Sequence, residues 1–151
     1  MKSKNSHLKH IATLGFIGYM PFAPGTFGTL AALVFMVILK PSLPSHIILT
    51  VFFIITGIVS SDKTEKLFGE KDSRHIIIDE FAGYTVSLLF LPLSWGYIIA
   101  AFVLFRLFDI LKPPPLRRLE DFFNGGFGIM ADDIGAAVYT NLLLQLWKLL
   151  N

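Results

Sequence analysis

The chain has 151 residues, enough for a single domain, and 54% of them are hydrophobic while 16% are charged. A mean hydropathy of +0.64 favours a protein embedded in a lipid bilayer over a soluble helical one with an oversized core. The absence of cysteine excludes a thiolate nucleophile, an iron–sulfur cluster and any disulfide, and a formal charge of +2 without a basic stripe speaks against nucleic acid as a partner.

In chain order, Met1 to His10 is basic, and the apolar stretch Ile11 to Phe22 after it is broken by Gly15, Gly18 and Pro21. That pattern speaks against a cleavable signal, and Ile11 to Pro24 is expected to form an interfacial or re-entrant helix. Five apolar segments follow: Gly28 to Leu39, His46 to Ser60, Ile76 to Leu91, Trp95 to Leu111 and Ile134 to Leu150. Most are shorter than the roughly 20 residues of a standard span. The predicted fold class is therefore all-α: a compact polytopic membrane helix bundle of four or five spans plus the N-terminal interfacial or re-entrant helix, one domain over 1–151.

Turn chemistry separates the first two segments at Pro41-Ser-Leu-Pro44, and the third and fourth at Leu91-Pro-Leu-Ser-Trp-Gly96. A charged stretch, Asp62 to Arg74, joins the second and third. A longer mixed stretch, Lys112 to Ala131, joins the fourth and fifth. Lys2, Lys4, Lys9, Lys63, Lys66, Lys71, Arg74, Lys112, Arg117 and Arg118 all fall at the N-terminus or in these two connections, against Lys40 and Lys148 on the other side. The positive-inside rule then predicts a cytoplasmic N-terminus and an external C-terminus.

That orientation brings acidic residues together. Asp79 and Glu80 open the third segment, Asp109 closes the fourth, and Asp132 and Asp133 open the fifth. An ionised group in hydrocarbon costs roughly 2.5–3.5 kcal/mol even on the lenient insertion scale, so such residues are paired, solvated or functional. Clustered carboxylates repel unless a positive charge lies between them, and a hard divalent cation such as Mg²⁺ is the usual solution. The plainer reading of Asp132 and Asp133 is helix capping.

Arg106 and Asp109 are three residues apart on a helix and share a face, either as an ion pair that lowers the burial cost or with Arg106 gripping a phosphate. Lys112, one turn on, is a second phosphate contact or a snorkelling lysine. Thr26, Gly28 and Thr29, in Pro24-Gly-Thr-Phe-Gly-Thr29, place glycines and hydroxyls at a helix start, a pattern that suits an anion site and equally an ordinary N-cap. Asn124-Gly-Gly-Phe-Gly128 reads as a tight loop before Asp132. His75, one turn before Asp79, reads first as an interfacial histidine and second as a proton relay.

Four ordered motifs carry a family resemblance: Pro24-Gly-Thr-x-Gly-Thr-Leu-Ala-Ala32, Ile77-Ile-Asp-Glu-Phe-x-Gly83, Phe105-Arg-Leu-Phe-Asp-Ile-Leu-Lys-Pro-Pro-Pro115 and Gly125-Gly-x-Gly-Ile-Met-x-Asp-Asp-Ile134. Together, over about Pro24 to Tyr139, the chain resembles the phosphatidylglycerophosphatase A family of bacterial inner-membrane lipid phosphatases. The resemblance implies Mg²⁺-dependent removal of the terminal phosphate of phosphatidylglycerophosphate, giving phosphatidylglycerol, at the cytoplasmic face of a multi-pass protein. It implies that Asp79, Glu80, Asp109, Asp132 and Asp133 hold the metal and perform catalysis, while Arg106, Lys112 and the Thr26 to Thr29 backbone, Gly28 included, bind phosphate. Attack by water or by an aspartate both fit. The rival readings are a small cation-transporting or conducting bundle and a phosphatase of the same fold acting on another membrane phosphomonoester.

Overall fold

The computed structural model describes residues 2–116 and 122–150. Arg117 and Arg118, counted above among the cytoplasmic cations, lie outside the described residues. The chain is all-helical there: α1 (Lys2–Ala12), a 3₁₀ turn (Ile17–Tyr19), α2 (Pro24–Leu39), α3 (Leu43–Phe68), α4 (Ile78–Ser87), α5 (Trp95–Leu111) and α6 (Gly125–Leu150).

The shortest of the helices that follow the 3₁₀ turn organises the rest. α4 packs against each of the other five helices, and Ile78, Phe81, Ala82, Tyr84, Thr85 and Ser87 on it are all buried. Its second-turn Gly83 lies where a Cβ would press on the Phe105 ring and the Asp133 backbone, so α5 and α6 approach closely there. Met36, Tyr84, Leu88, Ile98, Phe105 and Leu144 complete the core around it.

The boundaries differ from the sequence expectation. The N-terminal helix expected from Ile11 lies earlier, as α1 (Lys2–Ala12), and only a 3₁₀ turn (Ile17–Tyr19) follows, because Gly15 leaves the helix at a left-handed φ of 69. α2 begins at Pro24, before the predicted Gly28, and α3 at Leu43, before the predicted His46, each with proline in its first turn. The third segment, predicted from Ile76 to Leu91, is helical only over Ile78–Ser87, because Leu91 precedes Pro92 and a residue before proline is pushed out of the α region. At about 1.5 Å per residue this helix is far shorter than a bilayer core. α3, predicted to stop at Ser60, continues to Phe68. Charge ends an apolar run but not a helix: Lys66 and Asp62 pair at 2.8 Å one turn apart, and the stop comes at Gly69, left-handed at φ 66, whose amide caps Glu65. α6 starts at Gly125, well before the predicted Ile134. The glycines read as a loop are instead the first turn of a helix, and at Gly126 a Cβ would overlap the Ile58 carbonyl on α3.

The C-terminal end of α4 would leave carbonyls unpaired inside the bundle. α6 supplies the donors at helical spacing. Asn141 Nδ2 donates to the Ser87 carbonyl (3.0 Å) and the Leu89 carbonyl (2.8 Å). Gln145 Nε2 donates to Leu89 (3.1 Å), and Lys148 Nζ to Phe90 (3.0 Å). On the other side His46 Nε2 donates to the Thr85 carbonyl at 2.9 Å.

Outside, the bundle is apolar. Val34 and Ile38 on α2, Ile48, Phe52 and Ile55 on α3, Ile99 and Val103 on α5, and Leu142 and Leu146 on α6 are all exposed. Among the described residues one helix, α3, is long and apolar enough to cross a membrane.

Asn141→Leu keeps the volume and removes both donors. Stranding a buried carbonyl costs about 1–3 kcal/mol, so the thermal midpoint of the detergent-solubilised protein should fall. Gln145→Leu, which removes one donor from a carbonyl that Asn141 also serves, should lower it less.

Candidate active site

The elements around α4 bring five carboxylates, Arg106 and Lys112 to one end of the bundle. α4 starts at Ile78 after the Ile77 amide bonds the Ala12 carbonyl at 2.9 Å, which puts Asp79 and Glu80 in its first turn, where the helix dipole favours negative charge. α5 contributes Arg106 and Asp109 from one face and ends at Lys112, whose φ of 43 turns the chain out of the helix. α6 contributes Asp132 and Asp133 from its interior. Helix capping is therefore not their role. α2 points its N-terminus at the same place after Ala23, also left-handed at φ 44.

The result is a cleft of about 350 Å³ lined by Asp79, Glu80, Asp109, Asp132, Asp133, Arg106 and Lys112. Ala23, Pro24 and Gly25 form one wall, and Lys71, Asp72, Arg74 and Glu65 stand at the rim. Arg106 ion-pairs with Asp109 and lies 3.9 Å from Glu80 Oε1, bridging α4 and α5. Lys112 ion-pairs with Asp132, bridging α5 and α6. Asp79, Asp132 and Asp133 are 6%, 7% and 4% exposed.

Two positive side chains do not satisfy five carboxylates. Asp79 Oδ1, Glu80 Oε2 and Asp133 Oδ2 are buried and accept no hydrogen bond. Buried, unsatisfied charged oxygens are costly unless something binds them. One carboxylate oxygen each from Asp79, Glu80 and Asp133 lie within 4.8 Å of one another, as do one each from Asp109, Asp132 and Asp133. A donor set made only of carboxylate oxygen suits a hard cation such as Mg²⁺, so the residues fit that ion. Arg106 Nε is also buried without an acceptor, a donor aimed from the same side chain that sits between Glu80 and Asp109.

Seven of the ten sequence-predicted residues thus meet in one cleft. Thr26, Gly28 and Thr29 do not line it. Thr29 is fully buried and its hydroxyl donates to the Gly25 carbonyl at 3.0 Å. Gly28 packs against Ile77, where a Cβ would meet the backbone at 3.0 Å. Gly28 thus brings α2 against the start of α4, and the residue of this motif at the wall is Gly25, where a Cβ would strike the Glu80 carboxylate. His75 is absorbed elsewhere: Nδ1 bonds the Gly18 carbonyl at 2.8 Å and the ring stacks on Tyr19. The rim residues Glu65, Lys71 and Arg74 were missed because a charged stretch between apolar segments looks like a solvated connection.

A family model described as phosphatidylglycerophosphatase A matches residues 10–148. The chain belongs to the phosphatidylglycerophosphatase A family. It is 42% identical over 107 residues, 68% of this chain, to phosphatidylglycerophosphatase A of Haemophilus influenzae, and 41% identical over 86 residues, 56% of this chain, to the Escherichia coli K12 protein of the same name. It is 43% identical over 99 residues, 64% of this chain, to a Bacteroides thetaiotaomicron protein provisionally named a phosphatidylinositol-3-phosphatase. The matched stretches span 66%, 50% and 61% of those three proteins. No solved structure matches the chain.

Arg106 and its two carboxylate partners are partly buried, 13–15% exposed, so removing the cation costs more than the ~1 kcal/mol of a surface bridge. Arg106→Gln, which leaves Glu80 and Asp109 facing each other, should lower the thermal midpoint substantially at neutral pH. Thermal melts of the detergent-solubilised variant and wild type check the effect.

Proposed function

We propose that the protein is a Mg²⁺-dependent lipid phosphatase that hydrolyses phosphatidylglycerophosphate to phosphatidylglycerol and inorganic phosphate at the cytoplasmic face of the bacterial inner membrane. The observation that carries this reading is the convergence of five carboxylates, Arg106 and Lys112 in one cleft of a chain that belongs to this family.

Asp79, Glu80, Asp109, Asp132 and Asp133 would hold the metal, which when bound polarises the phosphoryl group and lowers the pKa of an attacking water. Arg106 offers its unbonded Nε–H to a phosphate oxygen while its other nitrogen stays tied to Asp109. Lys112, already held against Asp132, adds a second positive charge to the cleft. The positive end of the α2 dipole, at Pro24 and Gly25, favours an anion at the wall. Positioned donors of this kind stabilise charge that builds up on equatorial oxygens in phosphoryl transfer. Asp109 is engaged by Arg106, which favours water over that carboxylate as nucleophile.

The membrane placement belongs to the same proposal. α2, α3, α5 and α6 present apolar outer faces, as a multi-pass bundle requires, and α4 is the short buried helix between them, its C-terminal carbonyls satisfied by neighbours as hydrocarbon demands. The cleft opens beside Lys71 and Arg74, and basic residues mark the cytoplasmic side. A phospholipid headgroup could reach it there while its acyl chains stay in the bilayer. Cation conduction would want polar groups spread through the bundle, whereas these gather at one end. A second headgroup is favoured by one observation, the name of the Bacteroides relative: phosphatidylinositol 3-phosphate.

Phosphate release from each lipid in mixed micelles, with Mg²⁺ or EDTA, tests the proposal. Release from phosphatidylglycerophosphate should require Mg²⁺ and fall on the order of 10²–10³-fold in Asp79→Asn, the scale of losing one transition-state contact; no release from the folded wild type would overturn the substrate. Gly25→Ala should push Glu80 aside and cost on the order of 10²-fold in rate, as a misplacement of about 1 Å does, with the melting temperature little changed.

A further inference from the structure

The five carboxylates are not one undifferentiated cluster. Asp79, Glu80 and Asp133 form one close trio, and Asp109, Asp132 and Asp133 form another. Asp133 belongs to both. It stands on α6, between the pair carried by α4 and the aspartate carried by α5. Among the described residues it is also one of the most buried carboxylates, 4% exposed, and its Oδ2 accepts no hydrogen bond. Asp79, in the first trio, carries a second buried oxygen without a partner.

Charge decides how many cations the cleft needs. Five carboxylates against Arg106 and Lys112 leave three negative charges, and at the rim Glu65 and Asp72 are matched by Lys71 and Arg74. A phosphate monoester brings about 1.5–2 more. One divalent ion would leave the loaded cleft strongly negative, in a site too buried for water to screen it. Two bring it close to neutral.

We infer that Asp133 is a shared ligand, turning one oxygen toward each of two divalent cations, the first completed by Asp79 and Glu80 and the second by Asp109 and Asp132. This rests on the phosphatase reading above and assigns the carboxylates within it. A shared carboxylate is a means of holding two ions close enough to flank one phosphoryl group.

Mn²⁺ is the probe, added to the full chain in detergent and followed by equilibrium binding and electron paramagnetic resonance. Wild type should take up two ions per chain with a dipolar-coupled spectrum. Asp79→Asn and Asp109→Asn should each retain one ion with the coupling lost, and Asp133→Asn should bind at least tenfold more weakly at both positions. Each variant is near-isosteric and removes a repelling charge; should Asp133→Asn fail to fold, the wild-type stoichiometry and the other two variants decide. One ion per chain in wild type, or a coupled pair that survives in Asp133→Asn, overturns the assignment. Mg²⁺-dependent phosphate release with one ion per chain would sink the shared ligand alone, whereas two coupled ions without release from either lipid would uphold it and sink the substrate.

Discussion

Repulsion among Asp79, Glu80, Asp109, Asp132 and Asp133 is the constraint around which the fold is arranged. These groups come from three helices and sit in a buried cleft, where like charges interact far more strongly than in water. Arg106 and Lys112 each tie one carboxylate-bearing helix to the next, so the cations that offset the charge also fix the helices that carry it. The remaining unpartnered oxygens show that the protein's own side chains compensate this charge only in part. A binding site is the physical consequence: the polypeptide holds an arrangement that an added cation completes.

Holding it requires a rigid centre. α4 is ten residues long and touches each of the other described helices, yet a helix of that length leaves a large share of its backbone groups without internal partners. Asn141, Gln145 and Lys148 on α6, and His46 on α3, take up the carbonyls at its C-terminal end. Its other end carries Asp79 and Glu80. One terminus is thus closed by neighbouring side chains while the other is given over to the cleft. Glycines let the surrounding helices approach: Gly83 meets Phe105 and α6, Gly126 meets α3, and Gly25 leaves room for Glu80.

Much of the site was legible because its chemistry conflicts with its surroundings. Asp79, Glu80, Arg106, Asp109, Asp132 and Asp133 stand out as charges in or beside apolar runs, and the turn signals between the runs are enough to bring them to one end. Thr26, Gly28 and Thr29 were less transparent. A Gly-Thr pattern at a helix start serves an anion or a close helix contact equally well, and the Thr29 hydroxyl is bonded to Gly25 of its own helix. The fold was legible in class but not in boundaries. α3 runs past Ser60 and α6 begins at Gly125, because hydropathy marks where a helix leaves an apolar environment, whereas its end is set by caps and by contacts with other helices.

By itself the sequence determined that the chain is helical, that it carries more apolar surface than a soluble domain of its size, and that its acidic residues lie at corresponding ends of their segments. These are properties of composition and period, local in the chain. Only the tertiary structure decided that Asp133 stands within reach of two separate sets of carboxylates, that Gly25 rather than Thr29 forms the wall, and that α4 is a short buried strut. Those features depend on distances between residues far apart in sequence, and such distances arise only when helices pack.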